Sequence, residues 1–258
     1  MATSSDTFQR KEKKYLISLE QCKAIKEGLS SHMRLDDYGK SRIDSLYLDT
    51  HEHSLICRSL EKPLYKEKIR VRSYGAFSEA DVLYVEIKKK YKGVVYKRRI
   101  KMSTQGAIAY CARKMTYEDA QRIYPVPGEN PNKALQYGKV QIAREIDAFF
   151  RRHEGIVPAM LISCNREAWC PLELDDDDCV DRVTFDYDIN FIDLFEAQSV
   201  KRRPVTSNGL VVMEIKCAGG YPLWLCDLLA DCGAYPRSFS KYGNAFKNSQ
   251  RLQLAAAS

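Results

Sequence analysis

The chain is short of the features that usually classify a protein at sight. No apolar run approaches the roughly 18 residues that a membrane-spanning helix needs. Residues 1–7 are polar and lack the apolar core of a secretory leader. The nine cysteines include no Cys-x-x-Cys pair, and Cys164/Cys170 and Cys226/Cys232 are too widely spaced for a zinc knuckle. An odd cysteine count without framework spacing is the pattern of reduced thiols, so the expected location is cytoplasmic. Neither Gly-x-Ser-x-Gly nor His-Glu-x-x-His occurs, which removes the common serine-hydrolase and zinc-protease signatures. Gly39-Lys40-Ser41 has the end of a P-loop, but Arg34 stands where that loop needs glycine. No internal repeat and no long linker is present. One domain over 8–254 is therefore expected, with a disordered start at 1–7 and a frayed tail at 255–258.

What is present is charge of one sign, laid out with the period of a β-strand. Alternate strand residues share a face. In Tyr65–Tyr74, Lys66, Lys68, Arg70 and Arg72 lie opposite Ile69 and Val71. In Val82–Tyr91, Glu86, Lys88 and Lys90 lie opposite Val85 and Ile87. In Val94–Lys101, Lys97, Arg99 and Lys101 lie opposite Ile100. One solvated face of an antiparallel sheet explains any single such strand. Three in succession place like charges beside each other, which is repulsive unless an anion sits against them. The formal charge of +7, from 41 Lys and Arg against 34 Asp and Glu, agrees with an acidic ligand.

Eight strands are expected, at 8–17, 42–49, 65–74, 82–91, 94–102, 159–169, 181–188 and 209–217. Helices are expected after Ser18, whose pairing with Gln21 forms a capping box, and over Thr50–Leu60, Thr104–Tyr124 with a restart at Thr116, Asn132–His153, Phe191–Gln198, Tyr221–Cys232 and Tyr242–Leu254. Asp175–Asp178 reads as a solvated turn, without the glycine and glutamate of a calcium loop. His51 and His53 are two apart and share no helix face, so they read as a turn. Eight strands can close a barrel around side chains or one ligand. The charged faces of strand after strand would then line its interior. A dry interior could not hold so many charges, so the expected fold is α+β: a closed, wet antiparallel barrel with helices packed outside.

At these residues the chain resembles the polyphosphate polymerase domain of the vacuolar transporter chaperone (VTC) complex and its bacterial stand-alone relatives. These belong to the triphosphate tunnel metalloenzymes, which include the CYTH phosphatases. The resemblance runs over roughly Phe8–Leu252. It rests on Arg10-x-Glu12-Lys13-Lys14-Tyr15, Ser45-Leu46-Tyr47-Leu48-Asp49, Lys68 to Gly75, Glu86-Ile87-Lys88, Asn165-Arg166, Arg182 to Asp186, Glu214-Ile215-Lys216 and Ser238 to Tyr242. It implies that Lys14, Arg70, Arg72, Lys88, Lys97, Arg166, Arg182 and Lys241 hold the phosphate chain, and that Arg70, Arg72, Lys88 and Lys97 serve the transfer itself. Arg10, Arg99 and Lys216 share those faces and join the substrate set. It implies Glu214 as the carboxylate for Mn²⁺ or Mg²⁺, with Glu12 and Glu86 joining through water. The CYTH phosphatases open with Glu-x-Glu-x-Lys, whereas this chain has a cation, Arg10, at the first position.

The function so implied is a metal-dependent transfer of the terminal phosphoryl group of a nucleoside triphosphate, ATP foremost, to a growing polyphosphate. Two other functions remain open: a triphosphate hydrolase of the same fold, and a non-enzymatic polyanion binder. A polyanion binder that took RNA would use Tyr74, Tyr84 and Tyr96 for base stacking. The expected ligands are nucleoside triphosphate and polyphosphate, and nucleic acid is not expected. A membrane-protein partner, holding the chain at the inner face of a membrane, is compatible with this reading.

Overall fold

In a computed structural model, residues 11–172, 180–196 and 201–257 can be described. Arg10 and the Asp175–Asp178 run lie outside them. In chain order the elements are β1 (Lys11–Ser18), α1 (Leu19–Leu29), β2 (Met33–Asp49), α2 (Ser54–Leu60), β3 (Tyr65–Tyr74), β4 (Val82–Tyr91), β5 (Val94–Ser103), α3 (Thr104–Cys111), α4 (Tyr117–Ile123), α5 (Pro131–Ala134) and α6 (Tyr137–Arg152). They continue with β6 (Val157–Pro171), β7 (Val180–Asp193), β8 (Arg203–Pro204), β9 (Leu210–Cys217), α7 (Leu223–Asp231) and α8 (Lys241–Ala257). No helix among the described residues is long and apolar enough to cross a membrane.

The strands follow the order β1-β9-β7-β6-β2-β3-β4-β5, with β8 paired to β7. The expected closure of a barrel is not made by hydrogen bonds among the described residues: the order is an open path ending at β1 and β5. The outer strand β5 gives a physical reason. Its residues from Val94 to Arg99 are exposed and include Lys97, Arg98 and Arg99, and charge along an edge disfavours pairing with a further strand.

Two compact units are distinguished: Met1–Ser41 with Cys164–Ile189 and Thr206–Ser240, and Arg42–Ser163 with Asn190–Val205 and Lys241–Ser258. In the first, Ser18 accepts from Gln21 N at 3.1 Å while the Gln21 side chain accepts from Ser18 N at 2.9 Å, so the capping box starts α1. Tyr15 and Ile17 of β1, Val183 and Phe185 of β7, and Val211, Met213 and Ile215 of β9 form the buried face under α1 and α7. Gly233 takes φ of +60° just after α7, where a side chain would be strained.

In the second unit, Ile69 and Val71, Leu83, Val85 and Ile87, and Ile100 and Met102 make the apolar face. Tyr110, Tyr117, Ile146, Phe149 and Phe150 from α3, α4 and α6 cover it. The residues between them are Arg70, Tyr84, Glu86 and Lys101, so burial of one face fixes the register that presents the other.

Several boundaries differ from the sequence-based expectation. The expected helix Phe191–Gln198 is absent over its described part, where β7 continues to Asp193. Asn190 and Phe191 pair with Pro204 and Arg203, which makes β8 a ninth strand where none was expected. Phe191 is buried, and this burial outweighs local helix preference. The expected helix Asn132–His153 is two helices, because Gln136 adopts extended backbone between α5 and α6. The helix expected from Thr50 starts only at Ser54, after a turn in which His53 has φ of +55°. β2 begins nine residues earlier than the expected strand at 42, over a polar stretch whose burial does not alternate.

Asp49 ties the second unit together. Its buried carboxylate accepts from the backbone N–H of Leu55 at 2.9 Å and of Ile56 at 3.0 Å, at the start of α2. It also accepts from Thr50 N at 2.9 Å and from the Tyr242 hydroxyl of α8 at 2.7 Å. Asp49→Ala leaves three buried donors and the half-buried Thr50 N–H without their acceptor. The expected cost is about 3 kcal/mol or more, read as a lowered urea midpoint at unchanged slope.

Candidate functional site

The charged face of the second unit is built in rows, because antiparallel register sets specific residues directly across from one another. Tyr47 of β2 lies across from Arg70 of β3, which lies across from Glu86 of β4, which lies across from Arg99 of β5. The next row toward the β4–β5 turn is Lys68, Lys88 and Lys97. On the other side Ser45, Arg72, Tyr84 and Lys101 form a row.

Glu86 is the anion at the centre, with its side chain 1% exposed. Arg70 donates to it through Nε at 2.7 Å and lies at 2.6 Å through Nη2. Lys97 Nζ is at 3.2 Å, Arg72 Nε at 3.8 Å and Arg99 Nη1 at 3.9 Å. Burial alone would favour the neutral acid, but Arg70, Arg72 and Lys97 hold the Glu86 carboxyl at about 2. The cations are less comfortable. Burial and then the neighbouring cations, against the pull of nearby anionic groups, bring Lys68 and Lys97 down to about 8. Arg99 lies over the Tyr84 ring at 4.7 Å and donates to the Tyr74 hydroxyl at 3.0 Å. Two of the three tyrosines considered for base stacking are thus engaged by this arginine and by an edge contact with each other at 5.4 Å.

The first unit carries a different pattern. On β1 and β9, Glu12 lies across from Lys216 and Lys14 across from Glu214. On β7, Arg182 lies across from Lys216 and Thr184 from Glu214. Opposite charges therefore face each other between β1 and β9, whereas Arg182 and Lys216 are alike in sign. Lys14 Nζ sits 3.3 Å from both Glu12 and Glu214, and Lys216 Nζ 3.2 Å from Glu214. Burial opposes ionisation of Glu214, but Lys14, Lys216 and Arg166 outweigh it and hold the group at about 2. Lys14 is raised: burial lowers it, and Glu214 and Glu12 more than reverse that. Arg166 makes a two-pronged pair with the buried Asp186, at 2.6 and 2.8 Å. Arg182 pairs with Asp36 on β2.

Of the residues expected from the sequence, Arg70, Arg72, Lys97, Arg99 and Glu86 are thus brought together in one unit. Lys88 stands in the adjacent lysine row, and Lys241 opens α8. Lys14, Glu12, Glu214 and Lys216 are brought together in the other, with Arg166 near Glu214. Arg10 is not described. Sequence reasoning missed Tyr47, Asp186 and Asp36. Asp186 and Tyr47 stood in motifs already singled out, but only strand register shows which residues face them.

The fit to a divalent ion is tested by the donors. Glu12 and Glu214 supply ionised oxygen, the donor that Mg²⁺ and Mn²⁺ prefer, and a cation already stands between them as Lys14 Nζ. No group of three or more His, Cys, Asp or Glu suited to a metal occurs among the described residues, so phosphate and water oxygens would complete the shell. Glu86 is surrounded by cations, a setting that suits a counter-ion.

These features define a class: a mixed α+β protein with a large antiparallel sheet that presents a cationic face organised around buried carboxylates. The chain belongs to the VTC-domain family, whose model matches residues 9–249. No curated protein matches it in sequence. Among solved structures, an adenylyl-cyclase candidate of Hippeastrum, described as having a dominant triphosphatase activity, is 12% identical, with a TM-score of 0.49 over 92% of this chain and 95% of that one. An adenylate-cyclase candidate of Vibrio parahaemolyticus is 9% identical, with a TM-score of 0.44 over 91% and 96%.

The charge arrangement has a direct consequence for stability. The folded values of Glu86 and Glu214 lie near 2, below the ordinary 4.5. The stability they contribute is complete above about 4.5 and is lost as pH falls from there toward about 2. Glu86→Gln leaves Arg70, Arg72, Lys97 and Arg99 without their shared anion. Its melting temperature is expected to fall at neutral pH, and added sulfate or triphosphate is expected to restore it by more than it raises the parent's.

Proposed function

We propose that the protein is a metal-dependent polyphosphate polymerase that moves the terminal phosphoryl group of a nucleoside triphosphate, ATP foremost, to a polyphosphate end. The observation that carries this reading is the excess of cations on the β3–β4–β5 face, where Lys68, Lys88 and Lys97 oppose one another and Glu86 supplies the balancing anion. Membership of the VTC-domain family supports it.

Phosphoryl transfer asks little covalent chemistry of a protein; it needs alignment and neutralised charge. Arg70, Arg72 and Arg99 offer planar forks for phosphate oxygens, and Lys88 and Lys97 mobile point charges. Glu86 keeps the guanidinium of Arg70 in place before substrate arrives, so the donors are set in advance. Lys14, Lys216, Arg166, Arg182 and Lys241 are assigned to further phosphate contacts, and Arg10 with them. Glu214, with Glu12, would hold Mn²⁺ or Mg²⁺. When bound, such an ion withdraws electron density from phosphate oxygens and offsets their charge. No side chain is required as a nucleophile, because the acceptor is itself a phosphate oxygen.

Incubation with ATP and Mn²⁺ or Mg²⁺, followed by a gel stained for polyphosphate, decides between polymerase and hydrolase. A ladder of long chains is expected; orthophosphate alone would assign the protein as a triphosphate hydrolase. Glu214→Gln separates metal from phosphate binding. It is expected to lower turnover by orders of magnitude and to weaken Mn²⁺ binding measured calorimetrically, while metal-free triphosphate affinity holds or tightens. Arg72→Ala is expected to weaken every phosphate ligand on the order of ten-fold or more and to leave Mn²⁺ binding in place. Normal turnover in the first variant together with unchanged phosphate affinity in the second would remove both assignments.

A further inference from the structure

Tyr47 was not among the expected site residues, yet it stands in the same row as Arg70, Glu86 and Arg99. It is buried, with 9% of its surface exposed. Its hydroxyl oxygen accepts a hydrogen bond from Arg70 Nη1 at 3.1 Å, and this is its one hydrogen bond among the described residues. Among the described residues the phenolic hydrogen thus has no acceptor. Arg70, Lys68 and Arg72 of β3 act on the hydroxyl, and all three are donors without acceptor capacity. The acidic neighbours are committed elsewhere. Glu86 of β4 takes Arg70, and Asp49, two residues along β2, takes Tyr242 and three backbone N–H groups.

The ring is also held still. It stacks on Tyr242 of α8 with centroids 4.6 Å apart, and the Tyr242 hydroxyl is fixed on Asp49 at 2.7 Å. A buried hydroxyl that accepts from an arginine, is immobilised on both sides and keeps an unused hydrogen among cations lacks one specific partner. A partner that accepts a hydrogen bond and carries negative charge meets both the unused hydrogen and the surrounding cations.

We infer that Tyr47 is a further ligand-binding residue, which donates its phenolic hydrogen to a phosphate oxygen of the bound triphosphate or polyphosphate beside Arg70. This inference rests on the phosphate-handling reading given above. It adds a neutral donor to a set of cations, and a neutral donor acts only while it keeps its proton. Burial alone would keep the phenol protonated, but Arg70, Lys68 and Arg72 bring it down to about 8. Above that value Tyr47 becomes an anion in the phosphate site, and binding then requires it to regain its proton.

The test is calorimetric binding of inorganic triphosphate, without metal, to the parent and to Tyr47→Phe at several pH values. At neutral pH the variant is expected to bind on the order of ten-fold more weakly, while its ligand-free melting temperature matches the parent's, since the stack on Tyr242 remains. The ratio of the two affinities is expected to shrink as pH rises past about 8, because the parent alone loses its donor. The titration of Lys97, set by burial, Glu86, Arg70 and Arg72, is common to both proteins and cancels in that ratio. Equal affinities at neutral pH overturn the inference, as does a pH-independent loss accompanied by a lowered melting temperature, which is the mark of a packing role. If Tyr47→Phe fails to fold, fluorotyrosine introduced at position 47 is expected to move the alkaline fall in affinity to lower pH, and an unmoved profile overturns the inference. A parent protein that binds no triphosphate refutes the phosphate reading itself, an outcome distinct from a parent that binds and a variant that binds equally.

Discussion

A single buried carboxylate sets the terms for the second unit. Glu86 touches or approaches Arg70, Arg72, Lys97 and Arg99, and without it those cations would sit within a few ångströms of one another with no anion between them. The apolar face fixes this placement. Val85 and Ile87 flank Glu86 and point into the core under α3, α4 and α6, so the pleat turns Glu86 to the opposite side. Hydrophobic burial on one face therefore supplies the free energy that holds like charges together on the other. One anion for so many cations leaves a net charge that a polyanion can neutralise.

The two charged faces solve different problems. In the first unit, the pairs between β1 and β9 have opposite signs: Glu12 with Lys216, Lys14 with Glu214. Such a face is content without ligand, and what it offers is a pair of ionised carboxylates around a displaceable ammonium. In the second unit, Lys68, Lys88 and Lys97 oppose one another, so the face is frustrated without ligand. Burial first, and then the cations around them, depress Lys68 and Lys97. A balanced, carboxylate-bearing face suits a metal and a cation-rich face suits phosphate, and the division follows from register.

The period-two alternation was legible directly, and with it which residues share a face on β3, β4 and β5. The capping box at Ser18 and Gln21 was equally legible, because both partners lie three residues apart. Alternation cannot say which residue of the next strand stands opposite. Tyr47 beside Arg70, and Asp186 under the fork of Arg166, became visible only with the register and the packing. The same limit explains β8 and the strand end at Asp193. Their pairing is between segments more than ten residues apart, and Phe191 follows the burial available to it. The first part of β2 escaped notice because its residues show no alternation of burial, so there was no period to read. Strand count suggested a closed barrel, but count says nothing about whether the last edge finds a partner, and β5 carries charges that discourage one.

Asp49 joins stability to the chemistry of the face beside it. It caps the start of α2 through Leu55 and Ile56 and anchors α8 through Tyr242, so it belongs to the scaffold. Through the Tyr242 ring it also fixes the plane of Tyr47, and Tyr47 in turn meets Arg70. The path from helix cap to guanidinium runs through four side chains, each held by at least one short hydrogen bond or stacked ring. Looseness at any step would let Arg70 turn toward Glu86 alone and close on its counter-ion. Because the hydroxyl of Tyr47 accepts from the free end of that guanidinium, Arg70 is shared between two oxygens and keeps its orientation along the row. In the proposed site, binding phosphate would require no rearrangement of the arginine, and that existing order would reduce the entropy lost on binding.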